Sequence, residues 1–406
     1  MDSLTQIVLG AACGEVVLGK KVGNRAMLWG AVGGTIPDLD VLGNFMMTDM
    51  QALAFHRGIS HSIVFAVTAP FLFGYLVNRL YKSGLYKNSY YKTVVFLLTV
   101  LFIAFSGYIL NLATKIIGGD YSLFLIITTV ILGLLAIFNL SKNYLQHPLD
   151  TIDASQRDWT WLFFWSIFTH PLLDAFTSYG TQLFAPFSSY RVAFNTISVA
   201  DPLYTVPFLL CLIGASFFKR NRPMRRYLNY LGLLLSSAYL LFTVFNKSRI
   251  DKVFEKSLKA ENIPFERFRT GPSIFNNILW QGVAETDDGY YYGMYSLLDK
   301  KPEVYTFHKS PKNHHLIAAY EEDTDIEILQ WFSDGYYTVI PMNGDTLQIG
   351  DLRYGTTKER PAQPNDFVFK FSVVPDGKGG VTAFENRDFD DRSDAFSDLW
   401  ERIKGK

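Results

Sequence analysis

The run Leu228-Asn229-Tyr230-Leu231-Gly232-Leu233-Leu234-Leu235-Ser236-Ser237-Ala238-Tyr239-Leu240-Leu241-Phe242-Thr243-Val244-Phe245 decides how the chain is read. A stretch this long and apolar matches the hydrocarbon core of a bilayer, which takes roughly 17 to 25 residues of helix. Two more runs of that kind, Thr93 to Leu112 and Tyr121 to Leu140, precede it. Apolar residues crowd the first 245 positions, and from about Asn246 onward the chain turns polar and rich in Asp, Lys, Gly and Tyr. The expectation is a membrane domain over 1–245 and a soluble domain over 246–406.

Composition points the same way. Of 406 residues, 49% are hydrophobic and 16% aromatic, above a soluble average, and mean hydropathy is positive. Formal net charge is zero and no basic stripe interleaved with aromatics occurs, which argues against a nucleic-acid partner. Cys13 and Cys211 lie far apart in apolar runs and read as buried, inert thiols rather than a disulfide framework. Met1-Asp2-Ser3 lacks the basic region that opens a signal peptide, so no cleavage is expected.

Working back from Leu228, the apolar segments are Leu203 to Phe218, Trp159 to Phe176, the two runs above, and Ser62 to Leu80. Two short ones, Leu4 to Gly19 and Ala26 to Ile36, suit a tight hairpin of small-residue helices. The expected fold class is a mainly α polytopic membrane protein of about eight apolar helices, followed by a soluble, mostly β (α+β) domain. Short cytoplasmic loops carry an excess of Lys and Arg. Threading the segments puts Lys20, Lys21, Arg25, Arg79, Lys82, Lys87, Lys92, Lys142 and Lys219 to Arg226 on that side. Asp2, Asp38, Asp40, His56, His61, His170, Asp174, Arg191 and the C-terminal domain then share the extracytoplasmic face.

In the soluble half, a charged helix over Asp251 to Ala260 precedes β-prone runs at Gly289 to Leu298, Val304 to His308, Gly335 to Pro341 and Asp366 to Val374. Turn signals such as Asp287-Asp288-Gly289 and Met342-Asn343-Gly344-Asp345 separate them. A small antiparallel domain closed by a helix over Asp394 to Ile403 is expected.

The residues that carry chemistry fall into three groups. Asp38 and Asp40 flank a leucine just after Pro37; they read either as a helix stop in a solvated loop or as a carboxylate pair that binds a cation. His56 and His61, in His56-Arg57-Gly58-Ile59-Ser60-His61-Ser62, would point about 140° apart on one helix, so they share a target only if the chain breaks between them. Gly58 makes such a break easy. His170 and Asp174 stand one helical turn apart, either as a hydrogen-bonded pair or as ligands. Taken together, three of seven histidines and three acidic residues gather at helix ends, a donor set for Zn²⁺, Mn²⁺ or Fe²⁺. Asp38 and Asp174 are also candidates for proton transfer. Arg57 and Arg191 are candidates to clamp a phosphate oxygen, with Arg57 also a candidate catalytic cation, or they are interfacial anchors. Glu15 is expected to snorkel or pair with Lys20 or Lys21. His147, His308, His314 and His315 read as surface residues.

The motifs Met1-Asp2-Ser3-Leu4-Thr5-Gln6, Pro37-Asp38-Leu39-Asp40, His56-Arg57-Gly58-Ile59-Ser60-His61-Ser62 and His170-Pro171-Leu172-Leu173-Asp174, with Thr177 and Gly180, resemble the YdjM family of bacterial membrane-bound, metal-dependent hydrolases. The resemblance covers about the first 190 to 245 residues and leaves out the C-terminal domain. It implies a bacterial inner-membrane hydrolase using one or two divalent ions, with Asp38, Asp40, His56, His61, His170 and Asp174 as ligands or bases. More remotely, the His/Asp set is similar to that of zinc-dependent phospholipase C, which suggests phosphoester or lipid headgroup substrates in the bilayer. Where many members carry a histidine after Asp-x-x-Thr, this chain has Gln6, a poor ligand, which argues against a complete second metal site. Two other classes compete with the hydrolase. An ion- or proton-coupled transporter would spread ionisable residues toward the midplane. A membrane-anchored scaffold would work through the C-terminal domain. Oligomeric state is not legible in the sequence.

Overall fold

A computed structural model describes residues 1–117, 122–146, 149, 151–356, 367–386 and 393–406. Its helices are α1 (Ser3–Val22), α2 (Asn24–Thr35), α3 (Asp49–Phe55), α4 (Ile63–Lys82), α5 (Ser89–Ile117), α6 (Ser122–Leu140), α7 (Gln156–Asp174), α8 (Pro202–Ser216), α9 (Pro223–Ala260), α10 (Thr324–Ser333) and α11 (Ser393–Ile403). The backbone separates into two compact units, residues 1–70 with 161–406, and residues 71–160.

The expected bundle of about eight membrane helices does not hold. Among the described residues only α4 and α9 are long and apolar enough to cross a membrane. Length and polarity explain the shortfall. α2 has 12 residues and α8 has 15, about 18 and 22 Å of helix against a core of about 30 Å. α1 carries Gln6, Glu15, Lys20 and Lys21, and α7 carries Gln156, Arg157, Asp158, His170 and Asp174. In α5 and α6 the apolar parts among described residues are Ser89–Leu101 and Ile126–Leu135, each under 18 residues.

The hairpin of α1 and α2 forms as the small residues suggest. Gly10 and Gly14 of α1 meet Gly30 and Gly34 of α2 so closely that a Cβ on Gly14 would lie 3.0 Å from the Gly30 Cα. Such contacts hold only between residues without side chains. Glu15 does not turn to Lys20 or Lys21: its carboxylate grips buried Arg225 at the start of α9, with Nε on Oε1 at 2.6 Å and Nη2 on Oε2 at 2.5 Å. A buried carboxylate needs a partner more than it needs a short reach.

The C-terminal part contains the expected β region as two four-stranded antiparallel sheets. One runs β1 (Arg267–Pro272), β2 (Leu279–Thr286), β3 (Gly289–Ser296), β4 (His308–Ser310); the other runs β5 (Tyr337–Pro341), β6 (Leu347–Thr356), β7 (Phe367–Pro375), β8 (Val381–Glu385). The Asp287-Asp288-Gly289 signal forms the turn between β2 and β3, which pair from Thr286 opposite Gly289. Of Val304 to His308 only His308 enters a strand, and the charged stretch Asp251 to Ala260 is no separate helix but the end of the 38-residue α9. The closing helix is present as α11. Both cysteines are free, Cys13 buried and Cys211 half-buried rather than buried. His315 is exposed, but His308 and His314 are half-buried, and His314 stacks 4.1 Å from the Tyr337 ring. His147 lies outside the described residues.

The second sheet packs on α10, and its core takes in Met50 and Leu53 of α3. That contact matters because α3 lies between the two Asp38/Asp40 and His56/His61 segments.

Candidate metal centre

Three chain segments deliver the cluster. Pro37 ends α2 and opens a 3₁₀ segment, Pro37–Phe45, whose first turn holds Asp38 and Asp40. After α3 the chain leaves helical geometry at His56, and Arg57 takes a left-handed φ of 56°. The break between the two histidines therefore runs over His56, Arg57 and Gly58, which has φ −86° and ψ −123°, and a short turn over Ile59–His61 leads into α4. α7 supplies His170 and Asp174 near its end.

One ligand atom from each of Asp38, His61, His170 and Asp174 lies within 4.8 Å of every other. His61 Nε2 is 3.1 Å from His170 Nε2, 3.4 Å from Asp38 Oδ1 and 3.4 Å from Asp174 Oδ2. His170 Nε2 is 3.3 Å from Asp38 Oδ1 and 3.5 Å from Asp174 Oδ2. Four donors at tetrahedral corners, each about 2.0–2.1 Å from a central ion, would sit about 3.3–3.4 Å apart. The five separations that involve an imidazole nitrogen, 3.1–3.5 Å, fit that figure.

Protonation sharpens the fit. His170 Nδ1 is 2.6 Å from the Gly34 carbonyl, a pure acceptor at the end of α2, so Nδ1 carries the hydrogen. Ser60 Oγ donates to Asp40 Oδ2 at 3.1 Å and accepts from His61 Nδ1 at 3.0 Å, which assigns that ring the same tautomer. Both Nε2 lone pairs thus face each other and two carboxylate oxygens. Asp174 Oδ2 is buried and has no hydrogen-bond partner among the described residues. Four acceptors turned inward, three of them buried, repel one another unless a cation or a proton lies among them. The residues fit a divalent ion.

Asp40 and His56 stand behind this group. Asp40 accepts from the Arg57 backbone N–H at 2.9 Å, from Ser60, and from His56 Nδ1 at 3.0 Å, and its Oδ2 lies 3.4 Å from His61 Nδ1. This is the carboxylate–histidine arrangement that orients metal-bound imidazoles. Burial opposes ionisation of Asp40, but the hydrogen bonds with His56 and His61 outweigh it and hold the carboxyl far below the usual range. The imidazoles of His170 and His61 do the same for Asp38, again against burial. Asparagine at Asp40 should weaken metal binding about 10- to 100-fold while leaving one ion per chain. Competition against a chromogenic chelator measures it.

The arginines take different places. Arg57 is buried with Nη2 3.3 Å from Asp174 Oδ1 and Nη1 donating to Thr177 Oγ1 at 3.0 Å, while its Nε has no partner. Arg191 does not reach the cluster; it donates to the carbonyls of Phe332, at 2.9 Å, and Tyr179. Gln6, which stands where many members of the resembled family carry a histidine, and residues the sequence did not single out complete the surroundings. Gln6 Nε2 donates to Asp174 Oδ1 at 3.0 Å and to the His170 carbonyl at 3.2 Å, and the Met1 amine pairs with Asp174. Ser60 and the Gly34 carbonyl set the two tautomers. Only Ser60, lying next to His61, could have been found by proximity in sequence.

Fold and site together define a protein with two helices long and apolar enough to cross a membrane among the described residues, a two-sheet C-terminal part and a His/Asp cluster able to hold a metal ion. The chain belongs to the YdjM inner membrane protein family, whose model matches residues 1–116 and 121–250, more than half of its length. No curated protein and no solved structure matches it.

Proposed function

We propose that this protein is a divalent-metal-dependent hydrolase of the bacterial inner membrane, acting on a phosphoester of a lipid or envelope molecule at the extracytoplasmic surface. The observation that carries the reading is the inward set of four acceptors on Asp38, His61, His170 and Asp174. Zinc suits two imidazoles and two carboxylates in this spacing, with manganese or iron(II) as other occupants. A bound ion would polarise a phosphoryl oxygen and bring the pKa of water toward neutrality.

The chain's own groups divide the remaining work. Asp38 is the one member of the four not fully buried, so water and substrate arrive on its side. Its Oδ2, held by Ser3 Oγ at 3.0 Å, accepts the proton of the attacking water as the new O–P bond forms, and then returns it to the departing alkoxide. Arg57, with its free Nε, balances the charge of the phosphoryl group.

An amphiphilic substrate is supported by the surface beside Asp38. The 3₁₀ segment turns Leu39, Leu42 and Phe45 outward, and Phe45 and Met46 are 88% and 90% exposed. Ile63, only two residues after His61, opens the candidate span α4. The sidedness is supported by α9, a candidate span whose two ends differ. Its start carries Arg222, Arg225 and Arg226, and its other end leads into the C-terminal part. Basic ends face the cytoplasm. In this reading residues 246–406 lie outside the cytoplasm.

The test is turnover of bis-p-nitrophenyl phosphate and of phosphatidylcholine micelles by the purified chain, stripped of metal and reloaded with zinc or manganese. Expected are metal-dependent hydrolysis and a loss of at least about 100-fold in Asp38→Asn. A metal-loaded chain that leaves every phosphoester intact, or is indifferent to Asp38→Asn, contradicts it.

A further inference from the structure

The C-terminal part of the chain has no assigned role, yet a continuous series of side chains joins it to the cluster. Guanidinium groups and aromatic rings alternate along this series. Arg57 and Arg191 each place Cζ 4.8 Å from the Tyr179 ring centre; Arg191 lies 4.4 Å from Phe332; Arg353 lies 4.7 Å from Phe332 and 5.2 Å from Tyr354. At one end Arg57 touches Asp174, a cluster member, and at the other Arg353 is held by Asp351 through Nη2 at 2.6 Å.

Arg191, in the middle, differs from its neighbours. It is half-buried, and among the described residues it has no carboxylate partner, although a guanidinium withdrawn from water gains by having one. Burial and the charge of Arg353 push its pKa down to about 10. What offsets that cost is the enclosure by Tyr179, Phe332 and Trp331, the last 5.0 Å away, and the two carbonyls of Tyr179 and Phe332. Those carbonyls belong to the loop after Asp174 and to α10. Arg191 thus straps the site loop to the C-terminal part through those two carbonyls.

Other contacts converge on the same two segments. Trp331 Nε1 donates to the Ser189 carbonyl at 3.1 Å and Arg269 Nη2 to the Ser178 carbonyl at 2.9 Å. Met50 and Leu53 of α3 lie in one core with Ile326, Leu329 and Phe332 of α10. Both the segment from Asp38 to His61 and the loop that follows Asp174 are gripped from the C-terminal side.

We propose that Arg191 is a positioning residue which, through Tyr179 and Arg57, sets the orientation of Asp174, so that residues 267–385 complete the metal centre rather than forming an independent module. The affinity measurement below rests on the metal reading given above; the exchange measurement does not.

The experiment uses the full chain in detergent and zinc alone as the probe. Zinc affinity is measured for the wild type, Arg57→Met, Arg191→Met, the double variant, and Val304→Ala, a core substitution away from the series. Hydrogen–deuterium exchange is followed over residues 49–61 and 177–189. A group directly behind a ligand changes affinity about 10- to 100-fold, so one step further out Arg191→Met should weaken zinc about three- to tenfold. The double variant should match Arg57→Met alone, Val304→Ala should bind as wild type, and exchange should rise in both segments of Arg191→Met. Wild-type affinity in Arg191→Met, effects that simply multiply in the double variant, or equal weakening by Val304→Ala overturns the proposal. If the wild type binds no zinc, the metal reading fails and exchange decides alone: a rise in Arg191→Met supports positioning, and unchanged exchange overturns it.

Discussion

Alanine at His170 is expected to abolish stoichiometric metal binding, with zinc affinity falling more than about 100-fold, beyond the loss typical of a group that only orients a ligand. The reason is geometric. His170 Nε2 is within 3.5 Å of the facing atoms of His61, Asp38 and Asp174, and its Nδ1 is fixed by the Gly34 carbonyl, so no neighbouring donor can rotate into its place. The same substitution also removes the imidazole that separates two carboxylates, and the emptied site should become wetter without unfolding the chain. Elemental analysis of purified wild type and variant gives the result directly. Retention of one tightly held ion by His170→Ala would mean that the ion binds elsewhere.

The second large effect concerns Glu15. Glu15→Ala leaves Arg225 buried with, among the described residues, the Asn24 Oδ1, at 2.5 Å, and the Phe218 carbonyl, at 3.0 Å, as partners. Breaking a buried ion pair from one side costs about 3–5 kcal/mol, because the remaining charge stays desolvated. Replacing both members, as Glu15→Leu with Arg225→Met, removes that charge and should recover more than half of the loss. Unfolding by denaturant in a constant detergent background measures both. Equal destabilisation by the single and the double variant would show that the helices need the pair itself and not merely charge balance.

These two sites also show what is legible in a sequence and what is not. His61, His170, Asp38 and Asp174 stand out because imidazoles and carboxylates are costly in apolar surroundings, and that cost is independent of the fold. Which of the six candidates face one point is not written in spacing: Asp40 and His56 are as conspicuous as the others, yet hydrogen bonds turn them onto each other and onto His61. The partner of Glu15 was sought nearby and lies 210 residues away, since burial selects by position in space. The span count failed for a different reason. The runs Ala26 to Ile36 and Leu203 to Phe218 form helices of 12 and 15 residues, too short to cross a bilayer, and Glu15, Lys20 and Lys21 make the 20-residue α1 too polar. In the C-terminal part, turns such as Asp287-Asp288-Gly289 act locally and were correctly placed. The continuation of α9 through Asn246 to Ala260 is not legible because the helix changes from apolar to charged without changing its backbone.

Metal-edge X-ray absorption of the zinc-loaded wild-type chain tests the centre most directly. Two imidazole nitrogens with their characteristic ring scattering and two carboxylate oxygens, all about 2.0–2.1 Å from the ion, are the expected shell. A shell that contains sulfur, or one without imidazole scattering, would contradict a metal centre built from Asp38, His61, His170 and Asp174.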